Sequence, residues 1–533
     1  MPKLDGETPY LVQARNLVLL PDTDNYREWV PDDATFVVVQ GLPYWAAKNT
    51  PALNELMYSL GEPVPSPIFF TDYDWSNVEI FAEQAQMAGL ISTRRRCYNL
   101  SDMGCGKTIG SLLAIDWLIQ KNHIKRALVA APLSILRLVW EAEIHKHFPR
   151  LKPVVLHGTA DQRIKKIVKP DWNVAIINHE GIGVMEDKLI DTHFGCIIVD
   201  EASTYRDTRT SKFKSMKRVM HGIEFAAALT GSPTPNAPSD AYGLALLFTP
   251  DRINMSFRAF RQTVETEVRP HKWLPRPGAA AKVFKLLQPA VRFKRSDIIQ
   301  LKEMSSQTRR VELSAKQKLA LTTLRREAVA QFPDGVVEGI NPAVLRNKLL
   351  QISAGAVYTS GENRQVVDLE ATPRQDMLRT ILDEAEGKVI VLVGYKHVQE
   401  LLVSNLDKAG GYNAMLVNGD VNPKERVEIF RSFQDRLDPL RVLVAHPGVM
   451  AHGLNLTAAN IIVWYAPIDS RDEYEQANAR IMRMGQDKEQ LILHLSGSPE
   501  EDAAYRNLEA KGDMQDIIKA IFDAAQNPTL EAA

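Results

Sequence analysis

The sequence predicts an α/β protein with two parallel-sheet domains, helical insertions and a small accessory domain at its N-terminal end. Three observations carry this. At 533 residues the chain exceeds what one hydrophobic core supports. Short apolar runs alternate with helical patterns from about 75 to 250 and again from about 385. That rhythm belongs to parallel strands covered by helices on both faces. Apolar residues at 45% and charged residues at 24% are ordinary globular proportions.

Residues 1–70 alternate apolar runs (LVLL, FVVVQGL) with Pro/Asp punctuation and end near the prolines of GEPVPSP, which reads as the accessory domain. Residues 71–250 carry YNL, ALVAAP, PVVL, NVAIINH, CIIVDE and AAALTGS, the strands of the first large domain. Residues 251–370 are rich in Arg, Lys, Gln and Leu and read as a mostly helical insertion or linker. Residues 371–520 resume the strand rhythm with KVIVLVGY, YNAMLV, RVLVAHP, NIIVWYAP and QLILHL, and 521–533 form a loose tail. The three cysteines, Cys97, Cys105 and Cys196, make neither a disulfide framework nor a paired metal-ligand spacing. The first residues lack a signal-peptide layout, and no run reaches the ~20 apolar residues that span a bilayer. A cytoplasmic protein with no membrane partner is expected, or a nuclear one in a eukaryote.

Charge is unevenly spread. Residues 1–90 hold 4 Lys/Arg and 13 Asp/Glu, a net of −9; residues 91–220 hold 22 and 13, a net of +9. A basic lobe beside an acidic one is compatible with a polyanion path, and equally with a solvated charged face. The sharpest motif is SDMGCGKTIGSLLAIDWL, 101–118. Gly104 and Gly106, with Cys105 between them, let backbone wrap phosphate oxygens. Lys107 can reach the outer phosphates, and the Thr108 hydroxyl can ligate Mg²⁺. CIIVDEAS, 196–203, is an apolar strand ending in Asp200 and Glu201. There Asp200 can hold the metal, and Glu201 can orient and deprotonate a water. LTGSPTPN, 229–236, puts the small hydroxyls of Thr230 and Ser232 at another strand end.

The ordered series DMGCGKT, LVAAPLSILRLVWEAEI, VDEAS, LTGSPTPN, RFKRSDI, HGLNLTAAN and QANARIMRMGQ resembles the Swi/Snf-type branch of the superfamily 2 helicases, the double-stranded DNA translocases, over about residues 75–510. The compact form is similar to phage and prophage members and to annealing helicases. The resemblance implies two RecA-like lobes with helical protrusions, ATP and Mg²⁺ as cofactors, and DNA lying across both lobes. It implies that Gln84 reads adenine, with Gln86 the alternative, and that Gly453 links DNA contact to the nucleotide. It also implies that Gln476, Arg480 and Arg483 complete the ATP site, the two arginines sharing one helix face at three-residue spacing. Ser203 stands where such proteins usually have His. His446 and His452 could be metal ligands, but no Cys or carboxylate is spaced to join them; loop roles are expected instead.

The basic runs QRIKKIVK, 162–169, and RDTRTSKFKSMKR, 206–218, are expected to meet phosphate backbone, with Ser134, Arg206, Lys212 and Lys214 as candidate nucleic-acid contacts. The expected function is an ATP-dependent motor on double-stranded or branched DNA, with replication, repair or phage proteins as partners. The alternatives are a strand-separating DNA or RNA helicase of the same superfamily, and an ATP-gated nucleic-acid-binding module that does not move.

Overall fold

The computed structural model describes residues 4–62, 64–76, 79–270, 272–294, 304–332, 335–339, 341–360, 365–450, 456–482, 486 and 488–510. The chain divides into two compact units, one built by residues up to Ile298 and one from Ile299 to Asp513. The tail expected at 521–533 lies outside the described residues.

The N-terminal part of the first unit is an antiparallel sheet of β1 (Tyr10–Val12), β2 (Leu17–Pro21), β3 (Thr35–Val39) and β4 (Leu42–Lys48), in the order β1-β2-β4-β3. Helix Pro51–Ser59 follows, capped by the Thr50 side chain and opened by proline, a residue suited to a first turn. Buried Arg94 ties this helix to the rest of the unit, donating to the Asn54 carbonyl and side chain at 3.1 and 2.8 Å.

The main sheet contains β5 (Arg96–Asn99), β6 (Ala127–Ala131), β7 (Pro153–Leu156), β8 (Val174–Asn178), β9 (Cys196–Asp200) and β10 (Phe225–Leu229). These are the six strands expected from the apolar runs. β6, β8, β9 and β10 are buried along their whole length, which is why their sequences read as continuous apolar runs. Alternate residues feed two cores: Leu128, Ala130, Ile197 and Val199 face one side with Tyr205 and Phe213, while Ala127, Val129 and Ile198 face the other with Trp117 and Trp140.

The segment expected to be a mostly helical insertion, 251–370, is more mixed. It holds helices Phe257–Val264, Ala279–Leu286, Ala315–Glu327 and Pro342–Ala354, but also a hairpin of β11 (Glu265–Arg269) and β12 (Lys272–Pro275). β13 (Ala290–Val291) joins the first sheet beside β5, and β14 (Met304–Arg310) joins the second. Two further antiparallel pairs, β15 (Val329–Phe332) with β16 (Gly335–Glu338) and β17 (Ala356–Tyr358) with β18 (Val366–Asp368), complete it. β13 and β14 are strands because distant parts of the chain supply their partners, overriding a local composition that favours helix, while the other six strands pair locally.

The second unit's sheet runs β14-β23-β22-β19-β21-β20, where β19 is Lys388–Leu392, β20 Ala414–Val417, β21 Val442–Ala445, β22 Ala459–Trp464 and β23 Gln490–Ser496. All its pairings are parallel. Helix Arg471–Asn478 is fastened to this sheet by polar contacts from aromatic neighbours. The Trp464 indole donates to Asn478 Oδ1 at 2.9 Å, and the Tyr474 hydroxyl meets His494 Nε2 at 2.8 Å. His494 also stacks on Tyr505.

Burial pushes the His494 imidazole down to about 4 from an ordinary 6.5. Below 6.5 the unfolded chain takes up a proton that the folded unit refuses, so folding stability is lost as pH falls from about 6.5 toward 4. Thermal unfolding of the full chain is expected to show its midpoint dropping across that window, and His494→Asn to flatten that part of the profile. An unchanged slope in the variant would exclude His494 as its origin.

Candidate nucleotide and nucleic-acid site

Strand order decides what meets at the C-terminal edge of the first unit's sheet. β10 lies between β5 and β9, with Leu229 level with Asn99 on one side and with Asp200 on the other. One strand therefore separates the glycine-rich loop from the Asp200–Glu201 pair, a span of roughly 10 Å at ~4.8 Å per strand. The turn after β10 fills that gap. Thr230 N–H donates to the Asn99 carbonyl at 3.1 Å, and Thr230 Oγ1 accepts from Ser232 N–H at 3.1 Å.

Gly104 and Gly106 have φ of 85° and 73°, in the left-handed region. At 106 a side chain is excluded twice over, since a Cβ would also lie 1.9 Å from Gln84 Nε2. The loop enters helix Lys107–Gln120, whose first N–H groups have no helical acceptor and are available to an anion. Lys107 Nζ donates to the Ser101 and Asp102 carbonyls at 2.8 and 3.1 Å. Thus its ammonium lies folded over the loop, where phosphate oxygens can replace those two carbonyls. Thr108, half-buried, opens the helix beside it. Gln84 is 4% exposed and its Oε1 accepts from Phe81 N–H at 2.9 Å; Gln86 is exposed. Of the two glutamines, Gln84 is the one against the loop. Cys105 turns its side chain inward, onto Met87 and Val291, which leaves only its backbone for a ligand.

Asp200 is 8% exposed. Its Oδ2 accepts from the Trp140 indole at 3.1 Å and its Oδ1 from Glu201 N–H at 3.0 Å, so the carboxylate is aimed from two sides. Glu201 follows with φ 50° and ψ 50°, a left-handed conformation costly for a residue with a side chain and concentrated at functional sites. Trp140 is delivered by a π-helical turn, Leu136–Glu141. Among the described residues no group of three or more His, Cys, Asp or Glu could cage a metal ion. A magnesium ion brought in with phosphates needs no such cage, because it keeps waters and takes one or two protein oxygens. Thr108 and Asp200 are donors of that kind at this edge.

Farther along the edge, β6, β8 and β7 end at Ala131, Asn178 and Leu156. Ser134 is half-buried in the loop after β6. Arg163 bridges the other two loops, donating to the Gly158 carbonyl at 2.9 Å and to Asn178 Oδ1 at 3.1 Å. Lys166 donates to the Val155 and His157 carbonyls at 3.0 and 2.8 Å. Burial first, and then the nearby Arg163, Lys166 and Arg137, hold the His157 imidazole below its ordinary range. Lys214 is exposed. Lys212 is engaged elsewhere: it donates to Thr204 Oγ1 at 2.8 Å and pairs with Glu180 at 3.7 Å. Arg206 donates to the Ser203 carbonyl at 3.3 Å.

In the second unit, Gln476 is half-buried on helix Arg471–Asn478. Arg480 lies two residues past the end of that helix. The buried Asn478 side chain pins the helix end to Trp464, and the chain tightens there, with Arg480 N–H donating to the Ala477 carbonyl at 3.1 Å. Arg480 is 2% exposed and its carbonyl accepts from Leu456 N–H. Gly453, Arg483 and His452 lie outside the described residues. His446 Nδ1 accepts from Gly448 N–H at 3.1 Å, a local turn contact.

Sequence reasoning gave no structural role to Trp140, Arg163 or Arg292. Trp140 and Arg292 act on partners 60 and 190 residues away, a separation that no local pattern reports.

Residues 373–485 match the helicase conserved C-terminal domain. The putative protein p41 of Acyrthosiphon pisum secondary endosymbiont phage 1 is 26% identical over 78% of this chain and 92% of its own length. The mouse chromodomain-helicase-DNA-binding protein 1-like is 23% identical over 82% of this chain, which spans only 49% of that protein. A solved Sulfolobus solfataricus SWI2/SNF2 ATPase core in complex with dsDNA aligns over 86% of this chain and 98% of its own, at 20% identity and a TM-score of 0.40. Residues 90–379, more than half of the chain, match the SNF2-related domain, and the protein belongs to that family of helicase-like ATPases.

Proposed function

We propose that the protein is a motor on duplex DNA, using ATP and Mg²⁺ to move along the double helix and remodel DNA or nucleoprotein. One observation carries the reading. A glycine-rich loop with Lys107 and Thr108, the Asp200–Glu201 pair, and basic loops bridged by Arg163 all stand along one sheet edge. The name of the mouse relative, a helicase-DNA-binding protein, agrees with it.

In this reading Lys107 exchanges its two loop carbonyls for the outer phosphates. Thr108 and Asp200 hold the metal, and the Trp140 indole keeps Asp200 from rotating away. Magnesium bound with the nucleotide supplies charge neutralisation at the transferring phosphoryl group. Glu201 orients and deprotonates the attacking water. Gln84 selects adenine beside Gly106. Gln476, Arg480, Arg483 and Gly453 are assigned to the nucleotide from their motifs alone. Ser134, Arg206, Lys214 and the Arg163–Lys166 cluster meet phosphates rather than base edges, as a motor indifferent to sequence requires. Lys212 joins that set by exchanging its Glu180 partner for DNA. Double-stranded or branched DNA is the partner, with replication, repair or phage proteins as further partners; the phage relative supports the last of these. No described helix is long and apolar enough to cross a membrane.

ATPase activity measured across duplex, forked, single-stranded and RNA activators tests the reading. Duplex DNA is expected to stimulate about tenfold or more, and stimulation by RNA alone would defeat it. Glu201→Gln is expected to bind ATP and lose roughly 10²–10⁴-fold in turnover. Arg483→Ala is expected to keep nucleotide binding and lose DNA-stimulated hydrolysis by about 10³-fold or more; wild-type turnover in that variant removes Arg483 from the site.

Trp140→Phe keeps the ring but deletes the donor to Asp200. A hydrogen bond to a charged group contributes about 1.5–3 kcal/mol, so kcat is expected to fall about tenfold or more with ADP affinity little changed. Unaltered turnover would show that Asp200 does not need the indole.

A further inference from the structure

The first half of the phosphate loop is held by a segment that arrives about 190 residues later. β13 lies beside β5, with Ala290 level with Tyr98 and Val291 level with Asn99. The pairing continues past both strands into the loop. Tyr98 N–H donates to the Pro289 carbonyl at 3.0 Å, Leu100 N–H to Val291 at 2.8 Å and Asp102 N–H to Phe293 at 3.0 Å. Phe293 N–H donates back to Ser101 Oγ at 3.1 Å. Arg292, 4% exposed, closes the set: Nη1 donates to the Leu100 carbonyl at 2.7 Å and Nη2 to Asp102 Oδ1 at 2.9 Å.

We propose that Arg292 is a positioning residue for nucleotide binding, holding residues 100–102 in their phosphate-ready shape and keeping the Asp102 carboxylate away from Lys107. The proposal rests on the reading of this loop as the nucleotide site. Two cations serve the same short stretch. Lys107 holds the Ser101 and Asp102 carbonyls, and Arg292 holds the Leu100 carbonyl and the Asp102 side chain. Lys107 must let go to reach a phosphate; Arg292, buried and bidentate, has no reason to. When Lys107 leaves, Arg292 and the Phe293 backbone are what keep the loop from closing on itself. Without Arg292, Asp102 presents its carboxylate to the ammonium already resting on its own carbonyl, and an ammonium–carboxylate pair competes with the incoming phosphate for the same charge. The segment is also the one by which the chain leaves the first unit, whose boundary falls at Ile298.

The test uses the full chain, titrated with a fluorescent ADP analogue and assayed for ATP hydrolysis, with thermal unfolding followed in parallel. Arg292→Met is expected to weaken ADP binding and raise KM for ATP about tenfold, with kcat within about threefold of wild type. That is ~1.4 kcal/mol, the scale of one charge-assisted contact. Adding Asp102→Asn is expected to return both constants to within about threefold of wild type, because the competing carboxylate is gone. Arg292→Lys, which keeps the charge and loses the fork, is expected to lie between. The proposal is overturned if Arg292→Met binds ADP as wild type does. It is equally overturned if affinity, kcat and melting temperature fall together and the double variant recovers nothing, the pattern of a purely structural arginine. A wild-type chain that binds no ADP overturns the nucleotide reading itself, whatever the variants do.

Discussion

The candidate site depends on one register. Leu229 lies level with Asn99 on one side and Asp200 on the other, and that alignment brings chemistry from residues about 100 apart to a common edge. Slip β10 by two residues and Asp200 leaves the level of the glycine loop by about 7 Å. A slip by one turns every side chain to the wrong face. The two cores enforce the register: Ala226 and Ala228 belong to one face, Ala227 and Leu229 to the other. Burial on both faces, rather than any contact at the site, fixes where the site's groups stand.

The fixed sheet explains how much could be read from residues alone. Strands buried on both faces must be apolar throughout, so CIIVD and ALVAA declare themselves as strands without a partner in view. The glycine loop is legible for a related reason. Its function needs positive φ and close backbone approach within a few consecutive residues, and DMGCGKT writes those needs side by side. Trp140 is different. Its indole meets Asp200 only because β6 and β9 are neighbours, and nothing in VWEAEI states which carboxylate it will find.

Near the C-terminal end a legible spacing meets a helix boundary, and Arg483 lies outside the described residues. Three-residue spacing puts two side chains on one face only while the helix lasts. Here Asn478, drawn in by the Trp464 indole, spends its side chain on the sheet and ends the helix two residues before Arg480. Within 251–370, β14 is a strand that composition hides. MSSQTRR would not be chosen as a strand on composition, and all seven of its residues are exposed. It is a strand because β23 offers an open edge in parallel register from Gln490 to Ser496. Edge strands are specified by their partners' hydrogen bonds more than by their own side chains.

Charge follows the same logic of placement. The net of +9 between 91 and 220 did not locate a binding surface, because many of those cations are already engaged: Arg96 on the Met220 and Ile223 carbonyls, Arg218 on Glu186, Lys212 on Thr204 and Glu180. What distinguishes the His157 neighbourhood is concentration. Arg163, Lys166 and Arg137 act together there on one imidazole, beside loops that end parallel strands. A polyanion responds to the potential at the place it touches, screened within about 8–10 Å at moderate salt. Arg163, Lys166 and Arg137 are engaged as well, on the Gly158, Val155 and His157 carbonyls, Asn178 and Glu141, but they are gathered at one edge, where their fields overlap as those of scattered cations do not.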